Sequence, residues 1–394
     1  MKQIYLDHAA TTPVDKAVIE AMLPYYDKYF GNAASLHSFG KEAFNGMEQA
    51  REHVAGLIGA HGDEIVFTSG GTESDNLALK GIAFMMKKED NVKKGPHIIT
   101  SKIEHPGILQ TCDFLEDFGF QVKYLPVDSF GVVDIAELEN AISEGTFLIS
   151  IMHANNEIGT LQPINEIGKI ASGHDIYFHT DAVQSVGKEH LNVHGMHVDM
   201  LSLSGHKMYG PKGVGALFVR KGISLEPLLH GGGHQKGLRS GTENIPGIVG
   251  LGKACELAKM RMSVDVPNLK KLRDSLIQGI AGVKDSYLNG HPTKRLVNNA
   301  HFRFQGVEGE ALIMRLNQRG IAASTGSACS SKKLRASHVL MAIGLKEVEA
   351  HGSVRFSLGR DNSYTDMQYV VETLSSIIDE LRSISPLWPK KTGR

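Results

Sequence analysis

A lysine, an aspartate and a cysteine stand out in this 394-residue chain because of what surrounds them. Lys207 follows Ser204-Gly205-His206, directly after the apolar run Met200–Leu203. Most lysines are solvated surface groups. One placed behind a buried strand is desolvated, which lowers its pKa and frees the amine to form an imine with an aldehyde. Asp181 ends the stretch Ile176-Tyr177-Phe178-His179-Thr180. A carboxylate there can hold a pyridine nitrogen protonated, although capping the next helix is the more ordinary use of such a residue. Gln184, three residues on, shares a helical face with it. Cys329 lies in Ala323-Ser324-Thr325-Gly326-Ser327-Ala328-Cys329-Ser330-Ser331, a run too small and polar to be core. A thiolate in an exposed loop can attack a substrate and carry the attacked atom away; an inert surface cysteine would look the same. Cys112 and Cys255 sit in helical stretches and read as structural. Imine-forming amine, pyridine partner and loop thiol together point to pyridoxal phosphate (PLP) chemistry with a product leaving on sulfur.

Other segments supply the remaining parts. Ser69-Gly70-Gly71-Thr72-Glu73-Ser74 follows an apolar strand and opens a helix, where free N–H groups and the helix dipole suit a phosphate. It serves equally as a plain capped turn, and no Gly-Lys-Ser/Thr follows to make it a Walker loop. His105, in Lys102-Ile103-Glu104-His105-Pro106, can stack on an aromatic ring and move protons near neutral pH, or be satisfied by local hydrogen bonds. Asn155-Asn156 lies at another strand end. Arg355, on the alternating run Ser353–Leu358, suits bidentate recognition of a carboxylate, or a surface salt bridge. Arg239-Ser240-Gly241-Thr242 offers a cation, a glycine and a hydroxyl to a phosphate. The chain has 19 histidines, but none is spaced as a metal motif, so no metal is expected.

These residues need a scaffold, and the chain's texture supplies one. Seven short apolar runs read as strands: 64–68, 97–101, 121–126, 147–153, 176–179, 200–203 and 215–219. Helical patterns at 73–88, 107–118, 135–143 and 164–172 alternate with them, which predicts a mostly parallel α/β sheet with its ligand site at the carboxyl ends of the strands. After about residue 260 the texture changes: 268–280 and 369–384 read as helices, 300–304 and 353–358 as short strands. The expected division is a large domain over 15–260 and a smaller α/β domain from 261–394, with a cysteine loop at about 323–337. A formal net charge of −1 argues against a broad field for nucleic acid or anionic lipid. No run of about 20 apolar residues or signal-like leader is present, so a membrane span is not expected and the cytoplasm is the expected location. Three cysteines argue against a disulfide framework.

The order and spacing of these motifs resemble the cysteine desulfurases, in the class V aminotransferase group of PLP enzymes. The resemblance runs from Tyr5-Leu6-Asp7-His8-Ala9-Ala10-Thr11-Thr12 to Arg355-Phe356-Ser357-Leu358-Gly359-Arg360. Its most specific parts are Thr68–Glu73, Asn155–Gly159, Asp181–Ser185, Ser204–Lys207, Arg239–Thr242 and Gly326–Ser330, the last similar to the NifS/IscS branch. At Gly31-Asn32-Ala33-Ala34-Ser35 the chain departs from the family's usual Gly-Asn-Pro-Ser-Ser. The resemblance implies PLP fold type I, aspartate aminotransferase-like, with a seven-stranded sheet, and it adds residues 1–14 to the smaller domain. It implies that Lys207 holds PLP covalently, Asp181 pairs with the pyridine nitrogen, Gln184 bonds the ring hydroxyl and His105 stacks on the ring. Gly71, Thr72, Ser204 and His206 would hold the phosphate, with Thr242 from the other subunit of a homodimer. Asn156 and Arg355 would bind the carboxylate region of L-cysteine. Cys329 would take the sulfur as a persulfide for an iron–sulfur scaffold protein or for tRNA thiolation, and is also a candidate iron–sulfur ligand. Selenocysteine lyase, another class V activity, and a non-enzymatic sulfur carrier are the competing readings.

Overall fold

The computed structural model describes residues 3–88, 95–325, 336–386 and 388. A seven-stranded sheet forms its centre, in the spatial order Ile65–Thr68, Gly215–Val219, Met200–Ser204, Tyr177–Asp181, Thr146–Ser150, His97–Ser101 and Gln121–Leu125. Only Gly215–Val219 runs against its neighbours; every other strand shares one direction. Alternate side chains of these strands enter two different cores. Ile65, Phe67, Ile99, Ile149, Leu201 and Phe218 pack on one face with Met47, Val54, Ile58 and Leu251. Val66, Ile98, Leu148, Met200 and Leu217 pack on the other with Leu79, Ile82, Ile108 and Leu115. Strands covered by helices on both faces need apolar side chains at every position, which is why they show no polar alternation. The edge strand Gln121–Leu125 is covered less, and exposes Gln121 and Lys123.

One helix has no counterpart among the sequence patterns and another extends beyond its own. Ser38–Ile58 buries Gly40, Ala43, Gly46 and Ala50, small residues that give a weak periodic signal, and ends at Gly59 with φ of 72°. Ile245–Ala281 is one helix of 37 residues, although Pro267 inside it reads as a helix boundary. Residues ahead of the proline, Ile248 to Met262, belong to the sheet's core. Those after it, Leu269, Leu272, Leu276 and Ile280, join a separate core with Ile4, Leu6, Phe302, Phe304, Phe356 and Leu374. There an antiparallel sheet orders Ser353–Ser357, Asn299–Phe304 and Ser286–Asn289, and Ile4–Tyr5 pairs in parallel with Ile321–Ala322. The first residues thus start in the second core and run towards the first, with Thr12 Oγ1 donating to His206 O at 2.9 Å. No described helix is long and apolar enough to cross a membrane.

The reversed strand fits closely under the turn that follows Thr68. A Cβ at Gly215 would lie 2.6 Å from Leu203 O and 2.7 Å from Gly70 Cα, and neither backbone atom can rotate away. Gly215→Ala is therefore expected to destabilise the protein by about 1–3 kcal/mol. Urea unfolding of the two proteins checks this, and coincident midpoints would contradict it.

Candidate active site

Because six strands share one direction, their carboxyl ends meet at one rim, and a cleft of about 780 Å³ opens there. Ile65–Thr68 leads through Ser69-Gly70 into the helix Gly71–Lys88. His97–Ser101 leads to Glu104 and His105, Tyr177–Asp181 ends on Asp181, and Met200–Ser204 turns through Gly205–Lys207. Gly71, Thr72, His105, Asn156, Asp181, Gln184, Ser204, His206, Lys207 and Arg355 all line this cleft. Gly70 has φ of 155°, a conformation that L side chains rarely adopt, and a Cβ at Gly71 would meet Val183 Cγ2 at 2.7 Å. Without side chains there, the first turn of the helix, with its unbonded N–H groups, opens onto Ser204 and His206.

The Lys207 amine donates to Ala9 O at 2.6 Å and Ala10 O at 2.8 Å, so the N-terminal segment positions it. Gln184 Nε2 donates to the same Ala9 carbonyl at 2.9 Å. Asp181 is buried; one carboxylate oxygen accepts from Val183 N at 2.9 Å, and no described residue donates a hydrogen bond to the other. Burial raises its pKa, against the pull of His105, the Val183 N–H and Lys207. His105 Nδ1 accepts from Gly107 N at 3.0 Å, which places the proton of the neutral ring on Nε2. Burial lowers the pKa of this imidazole. His206 is pushed down to about 4 by burial and by the charges of Lys207 and Lys212.

The fit of PLP can be judged from these groups. A buried carboxylate with one unserved oxygen offers a site for a pyridinium N–H. A helix N-terminus with Thr72, Ser204 and a neutral His206 offers donors to a phosphate. Lys207 offers the amine. The residues fit the group.

Not every expected residue has the surroundings its sequence suggests. Arg355 lies in the cleft wall, but its Nη2 pairs with Asp7 Oδ1 at 2.9 Å and its Nη1 donates to Asn156 O at 2.8 Å. Thr242 is exposed and lies outside the cleft of its own chain, while Arg239 Nε pairs with Glu73 Oε1 at 3.0 Å. Cys329 lies outside the described residues. On either side of its segment, Ser324 pairs with the backbone of Arg355, and Ala336, Ser337 and His338 line the cleft.

Several buried ionisable groups around the cleft went unread in the sequence. Glu104 Oε1 accepts from Ser101 Oγ at 2.5 Å, Oε2 accepts from Met152 N at 3.0 Å, and burial pushes its pKa up to about 8. Asp75 is raised well above the ordinary carboxylate range by burial and then by the neighbouring Asp181. Glu157 accepts from Ser337 Oγ at 2.5 Å, and His338 Nε2 donates to Glu104 O at 2.9 Å. Only adjacency marked any of them: Glu104 precedes His105, and Glu157 follows Asn156. Elsewhere, His61, Glu64 and His194 bring their ligand-type atoms within 4.8 Å of one another. Arg220 Nη1 donates to His194 Nδ1 at 3.2 Å, which leaves the proton on Nε2 facing Glu64 Oε2 and adds a positive charge. That network favours a hydrogen-bonded chain over a metal.

Comparison with known proteins agrees with this geometry. The family model described as Aminotransferase class-V matches residues 4–370. The protein named cysteine desulfurase IscS from Methanosarcina thermophila is 54% identical over 390 residues, covering 99% of this chain and 95% of that protein. Its namesake from Dictyoglomus turgidum is 52% identical over 386 residues, covering 98% and 97%. Among solved structures, a NifS-like protein superposes with a TM-score of 0.89 at 39% identity, covering 96% of this chain and 100% of that one. A structure described as SspA in complex with cysteine gives 0.80 at 43% identity, covering 91% and 99%.

The buried Glu104 has a consequence for stability. Its carboxyl group is neutral in the folded protein below about pH 8 but ionises near 4.5 when unfolded. Between those values the unfolded chain releases a proton that the folded chain keeps, so stability falls as pH rises, by up to about 1.4 kcal/mol per pH unit. Glu104→Gln retains the hydrogen-bonding pattern of the neutral acid. Urea unfolding of the cofactor-free protein between pH 5 and 8 should give a shallower decline for the variant; parallel declines would contradict the assignment.

Proposed function

The chain belongs to the class V aminotransferase family and, within it, to the NifS/IscS-like PLP enzymes; from that membership we propose that it is a cysteine desulfurase converting L-cysteine to L-alanine. The observation that carries this reading is one cleft holding Lys207, Asp181, His105 and the glycine-opened helix end together. Bound there, PLP supplies an electron-withdrawing ring that stabilises negative charge at the substrate Cα.

The chain's own residues do the rest. Asp181 would hold the ring nitrogen protonated and Gln184 would bond the ring hydroxyl. Gly71, Thr72, Ser204 and His206 would hold the phosphate, and His105 would face the ring with its Nε2 proton available for exchange. Lys207 would anchor the cofactor, and its amine would be placed to take the substrate Cα proton and return it. Arg355 and Asn156 orient the substrate carboxylate. The Cys329 thiolate attacks the substrate sulfur: an S–S bond forms, the Cβ–S bond breaks with its electron pair moving to carbon, one proton is delivered to Cβ, and return of the Cα proton completes alanine. The sulfane sulfur remains on Cys329 as a persulfide.

Two features support a homodimer. Leu23, Tyr26, Phe30, Leu36, Phe39 and Phe44 are exposed along the N-terminal helices and the segment that joins them. Thr242, lying outside its own chain's cleft, would serve the phosphate of the partner subunit. An iron–sulfur scaffold protein in the cytoplasm is the proposed sulfur acceptor.

Lys207→Ala is expected to bind PLP without the visible absorbance of the parent, and borohydride should fix PLP on Lys207 alone. Cys329→Ser should keep that absorbance and release sulfide from cysteine at below about 1% of the parent rate. Full sulfide release without the thiol would favour a selenocysteine lyase or another class V activity instead.

A further inference from the structure

A second lysine belongs to the Lys207 neighbourhood. Lys188 Nζ donates to Gln184 O at 3.0 Å and to the carbonyl of Lys207 itself at 3.2 Å. Gln184 and Lys207 in turn converge on Ala9 O, at 2.9 and 2.6 Å. Two amines and one amide are thus strung along a few backbone carbonyls, and among the described residues no carboxylate hydrogen-bonds to Lys188. Lys188 and Lys207 also line one cavity with His8, Arg261, Asp265 and Arg360.

Two positive charges so placed act on each other. Burial, and then the charge of Lys207, push Lys188 down to about 8, with Glu189 pulling the other way. Coulomb repulsion is mutual, so an ammonium on Lys188 disfavours one on Lys207 to the same degree. Other charges face the same amine: Asp181 and His105 interact with Lys207 across the cleft, and His206 feels it from the adjoining turn. Lys188 also presses on His8. Asp181 favours charge on Lys207, and Lys188 opposes it from the position of Lys207's own carbonyl.

We propose that Lys188 is a positioning residue for Lys207: fixed on the Lys207 carbonyl, its ammonium both braces that turn and discourages a second charge, so the Lys207 amine meets an incoming aldehyde as the free base. This rests on the reading of Lys207 as the cofactor anchor. It gives the chain a charged group behind the reacting amine that never touches cofactor or substrate. A neighbouring cation is a recognised way to activate a lysine for imine formation.

The test separates charge from bracing. The full-length chain, before PLP is added, is treated with trace acetic anhydride across pH 6–11, and acetylation of Lys207 is followed by peptide mass spectrometry. Lys188→Gln keeps a donor but loses the charge; its Lys207 midpoint should rise by about one pH unit. Lys188→Arg keeps the charge and should retain the parent midpoint. An unshifted midpoint in Lys188→Gln overturns the proposal, as does an equal rise in Lys188→Arg. Lys188→Met, which loses donor and charge, should match the Gln variant where it folds; because the Gln variant preserves a donor, the outcome does not depend on it. Borohydride fixation of PLP on a residue other than Lys207 would remove the reading underneath, and the acetylation midpoints, taken without cofactor, keep that failure distinct.

Discussion

An aspartate buried at the end of a strand, with no hydrogen bond from any described residue to one of its oxygens, sets the terms for the rest of the site. An unpaired carboxylate inside a protein costs several kcal/mol, and here burial does raise the pKa of Asp181. Its surroundings admit little more negative charge. Asp75 is driven towards its neutral form by burial and by Asp181 itself, and Glu104 is neutral up to about pH 8. Burial and mutual repulsion therefore oppose full ionisation of this cluster of three acids. Burial also lowers the pKa of His105 and His206, which disfavours a cation on either. The positive charge that satisfies Asp181 must then come from Lys207 or from a ligand, and a protonated ring nitrogen in the cleft is such a ligand.

Placing those groups draws on both cores. The sheet supplies Asp181, the glycine turn and Lys207 because its strands run in one direction and finish at one rim. The second core supplies Arg355 and anchors the N-terminal segment, whose Ala9 and Ala10 carbonyls hold the Lys207 amine. The helix Ile245–Ala281 carries apolar side chains into both, changing core near Pro267. The angle between amine and carboxylate is thus fixed by packing far from the cleft. Residues that never line it, such as Leu6, Phe356 and Leu276, help define it.

Much of this was readable from the chain because the relevant signals are local. The seven strands show as apolar runs, and Lys207, Asp181, His105 and Gly71 stand out because each directly follows one of them. What could not be read depends on distance in space. Asp75 looks like an exposed acid in the first turns of a helix, yet it lies under the sheet with His179 Nε2 3.7 Å from its Oδ1. Lys188 looks like a surface lysine beyond a turn; only the fold puts its ammonium on the Lys207 carbonyl. Ser38–Ile58 left a faint pattern because it buries glycine and alanine, and of Ile245–Ala281 only 268–280, the part beyond Pro267, shows as a helical pattern.

Arg355 shows how a substrate site can be prepared without leaving a charge stranded. A guanidinium as buried as this one would be costly if unpaired, and Asp7 supplies the pairing, with its own side chain partly open to solvent at 21%. In the proposed role, an incoming carboxylate would replace one carboxylate partner by another, so the desolvation of Arg355 need not be met again at binding. Asp7 can give way because it reaches water, whereas the guanidinium stays oriented by Asn156 O. The same logic holds for Lys207, whose amine is already held by the Ala9 and Ala10 carbonyls, so a ligand there substitutes for contacts that exist and does not have to create them.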